Sequence, residues 1–126
     1  MKFLIPLLLC VSVVHADEIV FRGLPLVRLI ATPAHDNREK LDADAAQKSE
    51  CLVVLRGRKF YWRSRNDVLL NKVETSDFTY FISPEGFGFI KVFTGQRKAD
   101  AAAEYIESIT REFDVITYWG KVTSTR

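Results

Sequence analysis

Cysteine and histidine are both scarce in this sequence of 126 residues, which contains two of each. Cys10 and His15 fall within the first 16 residues, so Cys51 and His35 are the only such residues in the rest of the chain. A single cysteine cannot form a disulfide within the chain. One cysteine and one histidine that lie well apart in the sequence also argue against a zinc site.

Sequence motifs for other cofactors are missing too. Asp42 and Asp44 form a D-x-D fragment, but no glycine or glutamate follows at calcium-loop spacing. Gly86 and Gly88 lie within a predicted hairpin and begin no helix, so they do not match a phosphate or dinucleotide loop. The sequence contains no nucleic-acid recognition motif. We therefore expect no cofactor, no bound metal and no specific nucleic-acid partner.

The first 16 residues have the pattern of a secretory signal peptide. Lys2 precedes an apolar run, and small residues at Val14 and Ala16 predict cleavage before Asp17. The run is too short for a comfortable membrane span and no second one follows, so we expect export, secreted or periplasmic, without a transmembrane segment. The chain has 18 Lys and Arg against 16 Asp and Glu, so its net charge alone selects no class of partner.

Residues 17–50 are predicted to be an extended segment followed by a weak surface helix or linker. Pro25 would confine a strand here to a sheet edge or to its first residue. Thr32 and Pro33 have the pattern of a helix start, with Thr as N-cap and Pro at the first helical position. Beyond them Leu41 is the only large apolar residue up to position 50, so we favour a frayed helix.

Two β-hairpins are predicted in residues 51–93. Residues 51–56 and 59–63 flank Gly57-Arg58, and residues 78–83 and 87–93 flank Pro84-Glu85-Gly86. These runs are rich in β-branched and aromatic residues and end at turn formers. Most of the strands have apolar residues on both faces, so the sheet needs a cover on each side.

The periodicity of residues 97–113 predicts an amphipathic helix. Ala102, Ile106, Ile109 and Phe113 fall on one stripe. A last strand over residues 115–119 ends at Gly120, and residues 121–126 are assigned to a tail. The expected fold is α+β: an antiparallel sheet of about four to five strands, the two hairpins plus the C-terminal strand, packed by this one helix in a core domain of residues 51–120.

A basic and aromatic cluster is the best candidate ligand-binding surface. It consists of Arg56, Arg58, Lys59, Tyr61, Arg63 and Arg65. Strand alternation predicts that the last four of these share one face, where they could bind phosphates, sulfates or carboxylates while Tyr61 stacks. The alternative is a solvated strand whose charges prevent edge-to-edge aggregation.

Candidate catalytic groups are few. His35 adjoins Asp36, but both lie in the weakly structured region, without the fixed geometry that acid–base catalysis requires. Glu104 and Glu107 fall on the polar stripe of the predicted helix and are interpreted as solvated. Cys51 is interpreted as a small buried hydrophobe, with an intermolecular disulfide or a reactive thiol as the alternative.

These patterns predict a small, exported, non-enzymatic binding or interaction module. The expected partner is an anionic polymer, head group or protein at the basic cluster. A structural homodimer or envelope-assembly protein that uses an apolar sheet face is the alternative. A small secreted hydrolase is a third hypothesis, which the shortage of catalytic residue types disfavours.

Overall fold

Nine β-strands dominate the part of the chain that the structure describes. A computed structural model describes residues 16–95 and 104–125. The strands in chain order are β1 Glu18–Ala31, β2 Asp36–Lys40, β3 Cys51–Arg56, β4 Lys59–Trp62, β5 Val68–Glu74, β6 Phe78–Ile82, β7 Gly88–Phe93, β8 Tyr105–Thr110 and β9 Val115–Thr125. A short helix, α1 (Ala43–Lys48), lies between β2 and β3, and a 3₁₀ turn (Arg63–Arg65) follows β4.

Eight of these strands close into an antiparallel barrel, and β2 is an additional strand. From β3 to β9 each strand pairs with the next, and β9 returns to pair with β1 over Phe21↔Thr125 to Ala31↔Val115. The other edge of β1 is shared, because its first part pairs with β3 and its last five residues pair with β2. Closure leaves the barrel strands without the long unpaired edge of an open sheet.

The barrel interior is a packed core. Eight strands enclose a space that inward-facing side chains are just able to fill. The buried residues that fill it are Phe21, Cys51, Val53, Trp62, Leu70, Phe81, Ile90, Val92, Tyr105, Ile109, Ile116 and Tyr118. We call the end of the barrel where β5 ends and β6 begins the mouth, and the β8–β9 turn lies at the opposite end.

The predicted α+β fold is wrong, because the described chain is nearly all β and no amphipathic helix packs on a small sheet. Residues 105–110 of the predicted helix form β8, which pairs with β7 on one side and with β9 on the other. Residues 111–113 belong to the turn that follows, and residues 97–103 lie outside the described residues. Tyr105, Glu107 and Ile109 alternate into the core, so pairing along both edges overrides the helical periodicity.

The N-terminal segment is part of the barrel. β1 is 14 residues long and contributes to both sides of the closure. Pro25 is accommodated in its middle because the pairing with β3 ends at Gly23, the pairing with β2 begins at Val27, and the register with β9 shifts there. Its missing N–H therefore costs no ladder bond to β2 or β3.

Thr32 and Pro33 form a hairpin turn between β1 and β2 and do not start a helix. The Thr32 N–H donates to the carbonyl of His35 at 3.0 Å, and the Thr32 hydroxyl donates to the same oxygen at 2.9 Å. The helix in this region is α1, capped by the Asp42 carboxylate, which accepts from the Ala45 N–H at 2.8 Å.

β9 continues through residues 121–125, which the sequence pattern assigns to a tail. Gly120 lies inside this strand because a side chain there has no room. A Cβ atom at Gly120 would lie 2.2 Å from the Leu24 carbonyl oxygen and 2.7 Å from the Tyr105 ring. The glycine thus marks the close approach of β1 and an inward aromatic ring rather than a strand end.

The apolar residues on both faces of the strands are explained by the barrel. One face fills the interior, and the other remains on the outer surface, where Phe78, Tyr80 and Phe93 surround Lys91. Its ammonium lies 4.0 Å from the Phe78 ring centroid, so the cation covers part of the exposed aromatic surface. None of the helices found in residues 16–95 and 104–125 has the length and apolar character that a membrane span requires.

Candidate binding site

Two cations of the predicted basic cluster share one carboxylate. Arg56 binds Asp17 through two bonds, Nε to Oδ1 at 2.6 Å and a terminal nitrogen to Oδ2 at 2.8 Å. Arg63 binds the same Oδ2 at 2.9 Å. The hydrogen bond and the charge of Arg56, with the charge of Arg63, lower the pKa of Asp17. Arg56 also stacks on Tyr61 at 4.8 Å from the ring centroid, so both arginines and the tyrosine already have intramolecular partners.

Arg65 does not lie on the predicted cationic face with the other residues of the cluster. β4 ends at Trp62, and the 3₁₀ turn that follows breaks the strand alternation on which the single cationic face depended. The Arg65 guanidinium turns inward, lies 5.4 Å from the Tyr118 ring centroid and binds Glu107 Oε1 at 2.9 Å. Only 20% of its side chain is exposed.

Arg58 and Lys59 are the two cations of the cluster that remain available to a ligand. Neither forms an ion pair within residues 16–95 and 104–125. They line a groove of about 440 Å³ between β4 and β5, together with Phe60, Leu69, Leu70, Asn71 and Lys72. The groove exists because the β4–β5 pairing ends at Phe60↔Leu70, whereas β5 continues toward the mouth paired with β6. We call this groove the cationic notch.

A second cavity, of about 220 Å³, opens at the mouth of the barrel. Its lining combines apolar and aromatic residues with two threonines and one ion pair: Val20, Phe21, Lys72, Glu74, Thr79, Phe81, Val92, Phe93, Thr94 and Val122. The buried rings of Phe21 and Phe81 belong to the barrel core and form its inner wall. We call this cavity the cup. A few polar groups in an apolar concavity are typical of a small-ligand site.

Lys72 belongs to both cavities. It pairs across the sheet with Phe81, which points into the barrel, so Lys72 faces inward near the mouth. Its ammonium lies 2.8 Å from Glu74 Oε1 and 5.6 Å from the Phe60 ring centroid. The cup and the cationic notch therefore meet at one cation, whose present partner is an exposed carboxylate.

A buried polar cluster lies deeper in the barrel. Glu107 is fully buried; Oε2 accepts from the Trp62 indole N–H at 2.7 Å and Oε1 accepts from Arg65. Cys51 and Tyr105 are also fully buried beside it. Within the described residues the Tyr105 hydroxyl has no hydrogen-bond partner.

Burial dominates the electrostatics of this cluster. It raises the pKa of Glu107 above its ordinary value, although Arg65 and the Trp62 N–H act in the opposite direction. It also raises the pKa of the Cys51 thiol well above normal, with the neighbouring Glu107 charge adding to the effect. The thiol is thus held protonated and enclosed, as a small core residue is. The cluster lines neither the cup nor the notch.

The remaining predicted polar residues do not converge. His35 lies exposed in the β1–β2 turn, and Asp36 begins the exposed strand β2. In residues 16–95 and 104–125 no three His, Cys, Asp or Glu side chains are grouped to hold a metal ion. Glu107, predicted to be solvated, is instead fully buried in the core.

The sequence pattern did not identify Lys72 as a site residue. Lys72 lies near the end of a strand that contains several polar residues. The local sequence does not show whether its side chain faces into the barrel or out of it. Its role depends on the β5–β6 register, which pairs it with Phe81. A cation near an apolar run such as Val68-Leu69-Leu70 is a weak signal for a binding site, because many cations in the sequence have similar neighbours.

Comparison with known proteins identifies no relative. The chain matches no family model. It also matches no curated protein and no solved structure.

Proposed function

We propose that this protein is a small, exported, non-enzymatic binding module for small amphipathic anions. The apolar part of the ligand occupies the cup, and its negative group binds Lys72 and the cationic notch. The observation that carries the proposal is the position of Lys72, which lines both cavities. The apolar run of the first 16 residues supports export.

The volume of the cup supports a small ligand or one end of a longer one. It is about 220 Å³, below the range of roughly 300–1,000 Å³ that drug-sized ligands occupy. A protein cavity of about 150 Å³ is known to accept benzene. A substituted aromatic ring or a short acyl chain therefore fits the cup.

The charges around the cup support an anionic ligand. Arg58 and Lys59 approach from the notch, and Lys72 approaches from the wall. Glu74 is the carboxylate that now neutralises Lys72, at 2.8 Å. An incoming carboxylate takes the place of Glu74, whose side chain is mostly exposed and therefore easily rehydrated.

The test is a titration with 1-anilinonaphthalene-8-sulfonate, an anionic aromatic dye whose fluorescence rises in apolar sites. Lys72→Met keeps the apolar stem of the side chain and removes its charge. We expect it to weaken dye binding roughly tenfold, since a hydrogen bond to a charged group contributes about 1.5 kcal/mol or more. Lys40→Met is the matched control, because Lys40 is an exposed lysine of β2 outside both cavities.

Competition against the bound dye tests the ligand class. Phenylacetate should displace the dye at lower concentration than 2-phenylethanol, which has a ring of the same size without the carboxylate. Thr79→Trp should abolish dye binding by filling the cup from its wall. Equal dye affinities for wild type and Lys72→Met, or unchanged binding by Thr79→Trp, would contradict the proposal.

A further inference from the structure

The turn between β8 and β9 displays a phenylalanine at the end of the barrel opposite the mouth. Phe113 is 77% exposed, the highest exposure among the large hydrophobic residues described. Arg111 and Asp114 close the turn through a backbone bond of 2.9 Å and through two side-chain bonds of 2.6 and 2.5 Å. The ring is thus carried on a braced turn, which lowers the entropy lost when the ring is buried.

The residue before this ring adds a negative charge. Glu112 is exposed and forms no ion pair within the described chain. Arg111 and Asp114 flank Glu112 and Phe113 in the sequence, and these two charged residues neutralise each other. The tip of the turn therefore presents an aromatic ring beside a carboxylate, and we call Glu112 and Phe113 together the turn tip.

The turn tip and the cup are complementary in size and in charge. The cup of about 220 Å³ exceeds the volume that accepts benzene, about 150 Å³, and the buried rings of Phe21 and Phe81 form its inner wall. Aromatic pairs gain stability from edge-to-face contact beyond simple burial. Lys72, Lys59 and Arg58 supply the positive charge that a neighbouring carboxylate requires.

We propose that the ligand of the cup is the turn tip of a second copy of this chain. Phe113 of one copy enters the cup of the next, and Glu112 binds at Lys72 in place of Glu74. This inference rests on the proposed function, because it uses the same cup and the same cation. The two surfaces lie at opposite ends of the barrel, so the contact is head-to-tail and does not close on a two-fold axis.

A head-to-tail contact of this kind predicts open-ended association. Each added copy exposes another cup and another turn tip, so the mean mass rises continuously with concentration. One turn entering one cavity makes a small interface, so the association is weak and its partners exchange rapidly. It should also weaken with salt, because a carboxylate and up to three cations meet near the surface.

Sedimentation velocity over a concentration series up to the millimolar range tests the association. Phe113→Ser should remain monomeric, whereas Phe89→Ser, which removes an exposed ring from the wall of the barrel, should associate like the wild type. Glu112→Gln should associate more weakly and lose most of the salt dependence. A monomeric wild type at millimolar concentration, or association of Phe113→Ser equal to that of the wild type, would overturn the inference.

A mixing experiment tests the direction of the contact. Thr79→Trp blocks the cup and keeps the turn tip, whereas Phe113→Ser keeps the cup and loses the tip. Each variant alone should be monomeric, and an equimolar mixture should form dimers and stop there. Thr94→Trp blocks the cup from another strand and repeats the experiment should Thr79→Trp not fold. A mixture that stays monomeric, or that grows beyond dimers, would contradict the head-to-tail contact.

The dye titration separates this inference from the proposed function. Phe113→Ser should bind the dye as the wild type does, because its cup is unchanged. Dye binding without any association would overturn the inference and leave the proposed function standing. Absence of both would overturn both.

Discussion

The buried ion pair between Arg65 and Glu107 gives the sharpest prediction about stability. Arg65→Met keeps a long apolar side chain and removes the positive group that contacts the Glu107 carboxylate in the described part of the chain. The Trp62 N–H and the Cys51 thiol remain as neutral donors to a side chain with no exposed surface. A buried carboxylate without its partner is strongly disfavoured, so the protein either pays to desolvate the charge or takes up a proton.

Proton uptake sets an upper limit on the cost. The ordinary pKa of a glutamate is 4.5. Keeping its carboxyl group protonated in the folded state costs about 1.4 kcal/mol for each unit by which the pH exceeds 4.5. The limit is therefore roughly 3 kcal/mol at pH 7 and below about 1 kcal/mol at pH 5. Loss of the contact between Arg65 and the Tyr118 ring adds a smaller amount, about 0.5–1 kcal/mol, that does not depend on pH.

The sign of the pH dependence follows from the direction of the pKa shift. Burial raises the pKa of Glu107 in the folded protein, so the folded state binds its proton more tightly than the unfolded state. The contribution of this group to stability is largest below pH 4.5 and is lost as the pH rises toward the folded-state pKa. Arg65→Met raises that pKa further and should steepen the loss.

Urea unfolding at pH 5 and pH 7, followed by tryptophan fluorescence, measures the effect. Because the wild type already bears part of this cost through its raised Glu107 pKa, we expect Arg65→Met to lose at most about 3–4 kcal/mol at pH 7 and no more than about 2 kcal/mol at pH 5, with the larger loss at pH 7. The control Glu107→Gln should lose less than Arg65→Met, because the amide oxygen still accepts from Trp62 and one-fifth of the Arg65 side chain remains in water. The double variant should recover most of the loss at pH 7. Equal losses at the two pH values, or a loss in Glu107→Gln as large as in Arg65→Met, would refute this reasoning.

Two further predictions concern the groups that have intramolecular partners. Asp17→Asn should release Arg63 and leave Arg56 with only its longer contact to Asp67, at 3.7 Å, so retention on heparin should become more salt-dependent, with the slope against log salt steeper by roughly one to two. Asp114→Asn, which has the same net charge and releases Arg111 instead, is the control, and equal elution of both variants would contradict the special role of Asp17. Cys51 should not react with a disulfide dye in the folded protein at pH 8 over minutes, because the thiol is buried and its pKa is raised. It should react fully in concentrated urea. Rapid labelling of the folded protein would contradict this prediction and show that the site opens.

The two predicted hairpins depend on features of the local sequence. Both hairpin stretches have strong β-formers and a glycine with positive φ in the turn, Gly57 at 64° and Gly86 at 77°. The structure has hairpins there, β3–β4 and β6–β7. Nothing in these segments depends on distant partners to define where the chain reverses.

The error over residues 105–110 has a specific cause. Ile106 and Ile109 lie three residues apart, as on a helical stripe, whereas in β8 they fall on opposite faces, with Tyr105, Glu107 and Ile109 turned into the core. The distinction came from β7 and β9, which provide partners on both edges of this segment. The candidate site was affected in the same way, because Arg65 left its predicted face when β4 ended three residues earlier than the alternation required.

The order of residues by itself determined where the hairpins turn and which of their stretches prefer an extended backbone. These features depend on interactions between residues that are close together in the sequence. Only the tertiary structure decided that the sheet closes on itself, that Glu107 is enclosed with Arg65, and that Lys72 stands between two cavities. Those outcomes depend on strand register, and a shift of one residue in register would turn every side chain of a strand to the opposite face.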